Sequence, residues 1–254
     1  MMATRVVVCA ALLASTVSGL CARAPLADSK YRKSTSLYKT LEEGVATALP
    51  SAPITRPVLL APAGGWPQVE AAIKAGADAV YFGCAAGLNA RARATNFGEE
   101  ELPALMEKLH TAGLEGYMCV NVLIYESELA QAEQLARTAE AAGVDGLIVQ
   151  DVGLASRLHA VAPSLPLHAS TQMSISDADG ARFATQSLGA RTVVLTRELS
   201  IDDIGAVTAA VPEANVEVFV HGAPARRGPH TSPGHLADSC ARLVSSPRLF
   251  TWGS

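Results

Sequence analysis

The segment DGLIVQDVGLASRLHAVAPSLPLHASTQ, residues 145–172, contains one complete strand–helix–strand unit. GLIVQD is a short apolar run with a polar end, GLASRLHAVA has helical spacing, and LHASTQ is a second short strand. Both strands are apolar without strict alternation, as is typical of parallel strands covered on both faces. A strand, a helix and a parallel strand in this order form the repeating unit of α/β domains.

The same unit recurs along residues 57–223, where seven apolar runs are separated by six helical segments. This alternation predicts an α/β fold, namely a TIM-like (β/α) barrel that is incomplete, with about seven of its eight strands. A doubly wound open sheet is the alternative. It is less favoured because no G-x-G-x-x-G motif follows the first strand, where APAGGW has the wrong spacing.

Composition supports one sizeable core and a body that does not bind nucleic-acid backbones broadly. Of the 254 residues, 49% are hydrophobic and 17% are charged, which suits a single globular domain. Residues 57–223 carry nine Lys/Arg and twenty Asp/Glu, whereas the flanking segments are basic. An acidic surface repels phosphate backbones. No run of eighteen apolar residues follows the N-terminus, so no membrane partner is indicated.

Residues 1–56 have the composition of a targeting segment and linker, and they are left out of the expected fold. Arg5, the apolar run 6–13 and the small residues after it are typical of a signal peptide. DSKYRKSTSLYKT then has the composition of a transit peptide, and ALPSAPITRP is typical of a linker. The two-part address predicts an organellar protein, in a plastid, with secretion or a mitochondrial location as alternatives.

Polar residues follow the predicted strands, at the end where active sites of parallel α/β barrels lie. Together they predict a small-molecule pocket. The candidate substrate-binding residues are Arg91, Arg93, Asn96, Asn121, Gln150, Asp151, Ser170, Gln172, Arg197 and Glu198, and the candidate catalytic residues are His168 and His221.

The three arginines indicate the class of ligand, since guanidinium groups suit carboxylates and phosphates. The two histidines are candidate acid–base groups. Two alternatives without a binding role stay open: Asp151 could cap the following helix, and Glu198 could be a solvent-exposed acid at the edge of the barrel. A metal site formed by His168, His221 and Asp151 is a further alternative. Neither G-x-S-x-G nor H-E-x-x-H occurs, so the two common hydrolase signatures are absent.

The five cysteines show no C-x-x-C spacing, which argues against zinc ribbons and thioredoxin-type redox pairs. Cys84 and Cys119 lie at or near strand ends among apolar residues, so we expect both to be small buried side chains.

Six segments of the body resemble, in order and spacing, the collagenase-like peptidase family U-32. They are LLAPAGGWPQVEAAIKAGADAVYFG, LNARARATNF, GLIVQDVG, HASTQMSISDADGARF, VVLTRELS and EVFVHGA, and they span about residues 58–223. The resemblance implies a barrel-like N-terminal part. It also implies an enzymatic family, with some members labelled peptidases and others acting as hydroxylation proteins on tRNA, ribosomal RNA or a ubiquinone precursor.

The resemblance further implies prephenate as oxygen donor and an iron–sulfur cluster held by cysteines. Prephenate is a dicarboxylate, which agrees with the arginines at the strand ends. We therefore expect a small anionic substrate such as prephenate, and favour hydroxylation of RNA over the alternative, a collagenase-like peptidase.

The resemblance ends within the family signature, Glu-x-Phe-x-x-Gly-Ala-aliphatic-Cys. Glu217, Phe219 and the pair 222–223 match, but Pro224 and Ala225 stand where the aliphatic residue and the cysteine are expected. We expect residues 224–254 to form an aberrant, disordered tail. This chain is therefore expected to hold no cofactor, although intact relatives carry the cluster.

Two expectations about partners follow from this break. RNA would be contacted through regions missing here. The chain would alternatively be an inactive binding or scaffold module that pairs with a full-length relative.

Overall fold

The computed structural model describes residues 6–10, 57–90 and 94–221, with only the backbone described for residues 6–10 and His221. Eight parallel strands form a closed barrel in which each strand pairs with its neighbours in the chain and the last pairs with the first. The strands are β1 (Val6–Ala10), β2 (Val58–Ala63), β3 (Ala79–Gly83), β4 (Glu115–Val120), β5 (Gly146–Val149), β6 (Leu167–Ala169), β7 (Thr192–Val194) and β8 (Asn215–His221).

Helices connect successive strands from β2 onward and cover the outside of the barrel. They are α1 (Trp66–Ala75), α2 (Leu102–Thr111), α3 (Leu129–Ala141), α4 (Val152–Val161), α5 (Ala178–Arg182) and α6 (Ile201–Ala210). A π-helical turn, Phe183–Ser187, extends α5. None of the described helices has the length and apolar character needed to cross a membrane.

Local sequence explains where several of these helices begin and end. Ser200 caps the start of helix α6: its hydroxyl accepts a hydrogen bond from the backbone of Asp203, while the Asp203 carboxylate accepts one from the backbone of Ser200. Gly76 caps the end of helix α1; it has a φ of 76° and donates its N–H to carbonyls of the last turn. A left-handed residue at this place favours glycine because it has no Cβ.

The predicted α/β class and TIM-like architecture are confirmed, and residues 57–221 supply the seven strands that the sequence indicates. The structure adds one element to that expectation. Strand β1 comes from the apolar run that the sequence analysis assigned to a targeting segment, and it pairs in parallel with both β2 and β8. Its valines favour extended structure, and its backbone satisfies the hydrogen-bonding edges that seven strands would leave open. The predictions for residues 11–56 and 224–254 lie outside the described residues.

The outward side of the strands packs against the helices and forms the main core. Phe82 on β3 is fully buried and meets Phe97 edge to face, with ring centroids 5.7 Å apart. Leu105 and Leu109 on α2 belong to the same apolar cluster. Burial on this scale is the main source of stability for such a barrel.

The inward side of the strands forms a second, smaller cluster inside the barrel. In the strand register Leu60 pairs with Ala79, which pairs with Glu115. From each strand to the next, the residue at the same height along the barrel axis is shifted by about one position towards the C-terminus relative to the hydrogen-bonded pair. This shift is expected for eight strands with a shear of eight. One interior layer therefore takes a residue from every second strand. Its members are Leu60 on β2, Tyr117 on β4, His168 on β6 and Glu217 on β8.

Candidate functional site

The loop after β3 is built closely against the mouth of the barrel. A methyl group at Gly83 would overlap the side-chain oxygens of Asn89 and Asn96, so glycine is required where these two amides approach the strand. Asn89 is buried and donates from its amide nitrogen to the carbonyl of Cys84 at 2.7 Å. Asn96 has a φ of 57°, a left-handed conformation that asparagine tolerates better than most residues. The predicted residue Asn96 thus lies at the mouth.

Two hydrogen bonds fix this loop on either side of residues 91–93. The side-chain oxygen of Asn121, just after β4, accepts a hydrogen bond from the backbone of Ala90 at 3.0 Å. The backbone of Asn96 donates to the carbonyl of Gly64 at 2.9 Å. The predicted anion ligands Arg91 and Arg93 stand between these anchors in the sequence but lie outside the described residues.

Asp151 has the structural role that the sequence analysis left open. Its Oδ1 accepts a hydrogen bond from the backbone of Leu154 at 2.8 Å and thereby caps α4. Its Oδ2 accepts a longer one, at 3.4 Å, from the backbone of Ile124 in the loop after β4. The neighbouring Gln150 is half-buried directly after β5. The carboxylate of Asp151 is therefore occupied by backbone donors, whereas Gln150 stands at the strand end where a ligand would approach.

The turn after β6 is also held by its own polar side chains. Ser170 is 1% exposed, and its hydroxyl oxygen accepts a hydrogen bond from the backbone of Gln172 at 3.2 Å. Thr171 donates its hydroxyl to the carbonyl of Leu195 at 3.1 Å, which ties this turn to the end of β7. Of the two predicted residues here, the side chain of Ser170 shapes the turn and Gln172 is exposed.

An arginine stacked on a phenylalanine marks the mouth beside β7 and β8. The guanidinium carbon of Arg197 lies 4.0 Å from the centre of the Phe219 ring. Such a cation–π contact restrains a long side chain. Glu198, next to it, is half-buried. His221 is the last residue of β8, and its side chain lies outside the described residues. The pair Arg197–Phe219 is thus a restrained positive charge at the strand ends.

The candidate catalytic residue His168 lies on β6 inside the barrel, below the mouth. It is 4% exposed, and its ring lies 4.4 Å from that of Tyr117, between centroids. Burial, with a smaller contribution from the charge of Arg191, lowers the pKa of His168 to about 3. The imidazole is therefore neutral at physiological pH. The assigned role in proton chemistry stays a prediction.

Two interior residues near His168 carry polar groups that the sequence reasoning did not single out as site residues. Glu217 is 2% exposed, and burial raises the pKa of its carboxyl to about 8. Burial and a hydrogen bond to Glu115 raise the pKa of Tyr117. A signal existed in the sequence, since an acid in the apolar strand VEVFV is unusual.

The described cysteines do not suit an iron–sulfur cluster. Cys84 packs in the outer core and Cys119 in the inner cluster, so the two side chains lie on opposite sides of the sheet. Burial is the main cause that raises the pKa of Cys84, which favours the thiol over the thiolate that metals need. Within the described ranges, no three His, Cys, Asp or Glu side chains converge as metal ligands. The alternative set of His168, His221 and Asp151 includes a side chain outside those ranges and stays a prediction. The expectation that both cysteines are buried is confirmed.

Comparison with known sequences agrees with the family resemblance. The model of peptidase family U32 matches residues 64–225. A collagenase of Porphyromonas gingivalis is 36% identical over 65% of this chain and 41% of its own length. A 23S rRNA 5-hydroxycytidine synthase of Escherichia coli is 38% identical over 65% of this chain and 24% of its own length. A tRNA hydroxylation protein of Escherichia coli is 33% identical over 66% of this chain and 37% of its own length. The chain thus spans well under half the length of these relatives.

Solved structures agree on the fold. A U32 peptidase, Mk0906, superposes with a TM-score of 0.53 at 14% identity, covering 69% of this chain and 72% of its own. The copper homeostasis protein CutC of Streptococcus agalactiae superposes with a TM-score of 0.52 at 16% identity, covering 63% of this chain and 85% of its own. Because the family model covers most of the chain and the relatives align with the same region, this protein belongs to peptidase family U32.

Proposed function

We propose that the barrel is the part of an RNA-hydroxylating U32 enzyme that binds a small dicarboxylate co-substrate of the prephenate type. The observation that carries the proposal is the guanidinium of Arg197, held 4.0 Å from the Phe219 ring at the strand ends. A restrained guanidinium loses little freedom when it binds a carboxylate, and it offers two parallel N–H donors. The mouth of a parallel barrel is also where ligands of this fold bind.

Other side chains at the strand ends support binding of a polar ligand. Asn89 and Asn96 place amides in the loop after β3, and Gln150 places one directly after β5. Amides supply both donors and acceptors, so they suit the hydroxyl and carbonyl oxygens of a small organic acid. Rigid loop anchors, such as the bond from Ala90 to Asn121, keep these groups in place before the ligand arrives.

RNA is the proposed final substrate because several relatives carry RNA hydroxylation in their names. The acidic body of this chain does not favour broad contact with phosphates. We therefore assign RNA binding to sequence beyond the barrel, or to a full-length relative with which this chain pairs. No step of the reaction is assigned to Cys84 or Cys119. The plastid address, with secretion or a mitochondrial location as its alternatives, stays part of the proposal.

A collagenase-like peptidase is the second candidate, and the 36% identical collagenase favours it. In that case the mouth would bind a peptide carboxylate or carbonyl. Ser170 is a poor nucleophile for this reaction, since it is 1% exposed and its hydroxyl oxygen is used within its own turn. A nucleophile needs an exposed oxygen with an adjacent base.

Calorimetric titration of the 254-residue protein with prephenate tests the proposal. We expect binding by the wild type and a loss of about 10-fold or more in affinity for Arg197→Gln, as for a hydrogen bond to a charged group. Arg191→Gln is the matched control, because Arg191 is exposed and precedes β7 at the opposite end of the barrel. Phenylpyruvate, with a single carboxylate, should bind more weakly than prephenate.

Three results would count against the proposal. The wild type fails to bind prephenate, Arg197→Gln and Arg191→Gln bind it equally well, or the wild type cleaves denatured collagen at a rate that Arg197→Gln abolishes. The last of these would instead support the peptidase.

A further inference from the structure

The centre of the barrel contains a layer in which three of the four side chains are polar. Tyr117, His168 and Glu217 share it with Leu60, as the strand registers require. The contact between the rings of Tyr117 and His168 confirms that residues of alternate strands meet here. Such layers in TIM-like barrels are usually filled by branched apolar side chains. A polar layer in this place calls for hydrogen-bond partners.

Two atoms of this layer have no such partner among the described residues. They are Oε2 of Glu217 and Nδ1 of His168, and both are buried. The residues themselves are 2% and 4% exposed, so bulk water does not reach them. A buried polar group without a partner costs free energy, and native proteins supply a protein group or an ordered water in nearly every case.

The charge state of the layer favours a neutral ligand. Burial keeps the imidazole of His168 neutral, and burial keeps the carboxyl of Glu217 protonated at physiological pH. The other titratable groups that act on this layer are few. Tyr117 and Glu115 share a hydrogen bond on β4, Asp145 before β5 acts on Tyr117, and Arg191 before β7 acts on His168. A metal cation would need anionic ligands, which this layer does not offer in its neutral state.

A glycine bordering the layer lets the imidazole lie close to the barrel wall. A methyl group at Gly146 would lie 3.2 Å from Nε2 of His168 and 3.4 Å from Cδ1 of Tyr117, which is tighter than most real contacts. Glycine at position 146 therefore lets the imidazole of His168 pack directly against the strand.

We propose that a buried water molecule occupies the barrel centre and bridges Glu217 to His168. The protonated carboxyl of Glu217 donates to the water, and the water donates to Nδ1 of His168, which fixes the imidazole as the tautomer with its proton on Nε2. Each of the two unpartnered atoms thereby gains one hydrogen bond. This hydration site is separate from the mouth, where Arg197 lies, and it does not depend on the proposed anion binding.

Magnetic relaxation dispersion of water nuclei detects long-lived internal waters and tests the site on the whole protein. We expect a dispersion amplitude in the wild type that falls by one bound water in the double variant Glu217→Leu/His168→Phe, which removes both partners. Phe183→Leu, at an exposed site, is the matched control and should leave the amplitude unchanged.

A second measurement keeps the proposal falsifiable if the double variant does not fold. Infrared spectra of the wild type near neutral pH should show the carbonyl stretch of a buried protonated carboxylic acid, and Glu217→Gln, which keeps a similar shape, should lack it. An identical dispersion amplitude in the wild type and a folded double variant would overturn the bridging water. Spectra without that band in the wild type would overturn the protonated donor on which the bridge depends.

Discussion

The two sides of strands β2 to β8 differ sharply in chemistry. On the outer side, Phe82 and its neighbours pack against helices in a core that is almost wholly apolar. On the inner side, Tyr117, His168 and Glu217 place three polar groups in one buried layer. Side chains on both sides are buried from bulk solvent, so the difference lies in hydrogen bonding rather than in exposure. The outer side stabilises the barrel through area and packing density, whereas the inner side makes stability depend on protonation and hydration.

The largest effect is expected on the outer side. Phe82→Ala removes a fully buried ring that packs on Phe97, so it should lower the free energy of unfolding by about 3–5 kcal/mol. Phe183→Ala is the matched control, because that ring is 50% exposed and should contribute far less. Chemical denaturation of the three proteins measures both. A similar loss in the two variants would show that the outer core does not dominate stability.

A smaller effect, which depends on pH, is expected on the inner side. In the unfolded chain the Glu217 carboxyl has its ordinary pKa of 4.5, but burial in the barrel raises this pKa to about 8, so the carboxyl stays protonated to a higher pH. Between these values the folded state binds more protons than the unfolded state, so stability falls as pH rises and levels off above about pH 8. The slope is about 1 kcal/mol per pH unit.

Glu217→Gln should remove this slope, and the variant should be more stable than the wild type at pH 8 by about 2 kcal/mol or more. Thermal and denaturant unfolding at a series of pH values from 5 to 9 measures the difference between the two proteins, in which contributions from other groups cancel. If the unfolding free energies of the two proteins changed with pH in parallel across this range, Glu217 would be ionised inside the barrel. The inner and outer sides of the sheet would then differ in charge rather than in protonation.

The smallest effect is expected at the rim, where the two sides meet. Asp151→Ala removes the cap of α4 and the bond to the loop after β4, at a cost of about 1–2 kcal/mol in unfolding free energy. Asp177→Ala, which uncaps the short helix α5 at an exposed site, is the matched control and should cost less.

Calorimetry with prephenate separates the structural role of Asp151 from a binding role. If Asp151 acts only as a cap, Asp151→Ala keeps the affinity of the wild type while it loses stability. A loss of affinity together with unchanged stability would return Asp151 to the set of ligand-binding residues.

The sequence indicated the architecture because strands, helices and helix ends each leave a pattern within a short segment of the chain. Apolar runs alternate with helical segments from Pro57 onward, and glycines such as Gly76 stand where helices end. The strand ends also carry the polar residues that the structure brings to the mouth, among them Asn96, Asn121 and Arg197. Even the cap formed by Asp151 was among the alternatives, since a helix begins directly after it.

The tertiary structure alone decided which strand residues face inward and what they meet there. A nearly continuous apolar strand hides its alternation, so His168 looked like a residue of the mouth although the register places it below Ser170. The layer of Tyr117, His168 and Glu217 depends on the shift that accumulates around a closed barrel, which no single segment encodes. The pairing of β1 with β2 and β8 is likewise non-local. Sequence by itself thus determined strands β2 to β8 and the helices between them. Closure of the barrel determined its polar centre, because only closure brings alternate strands face to face.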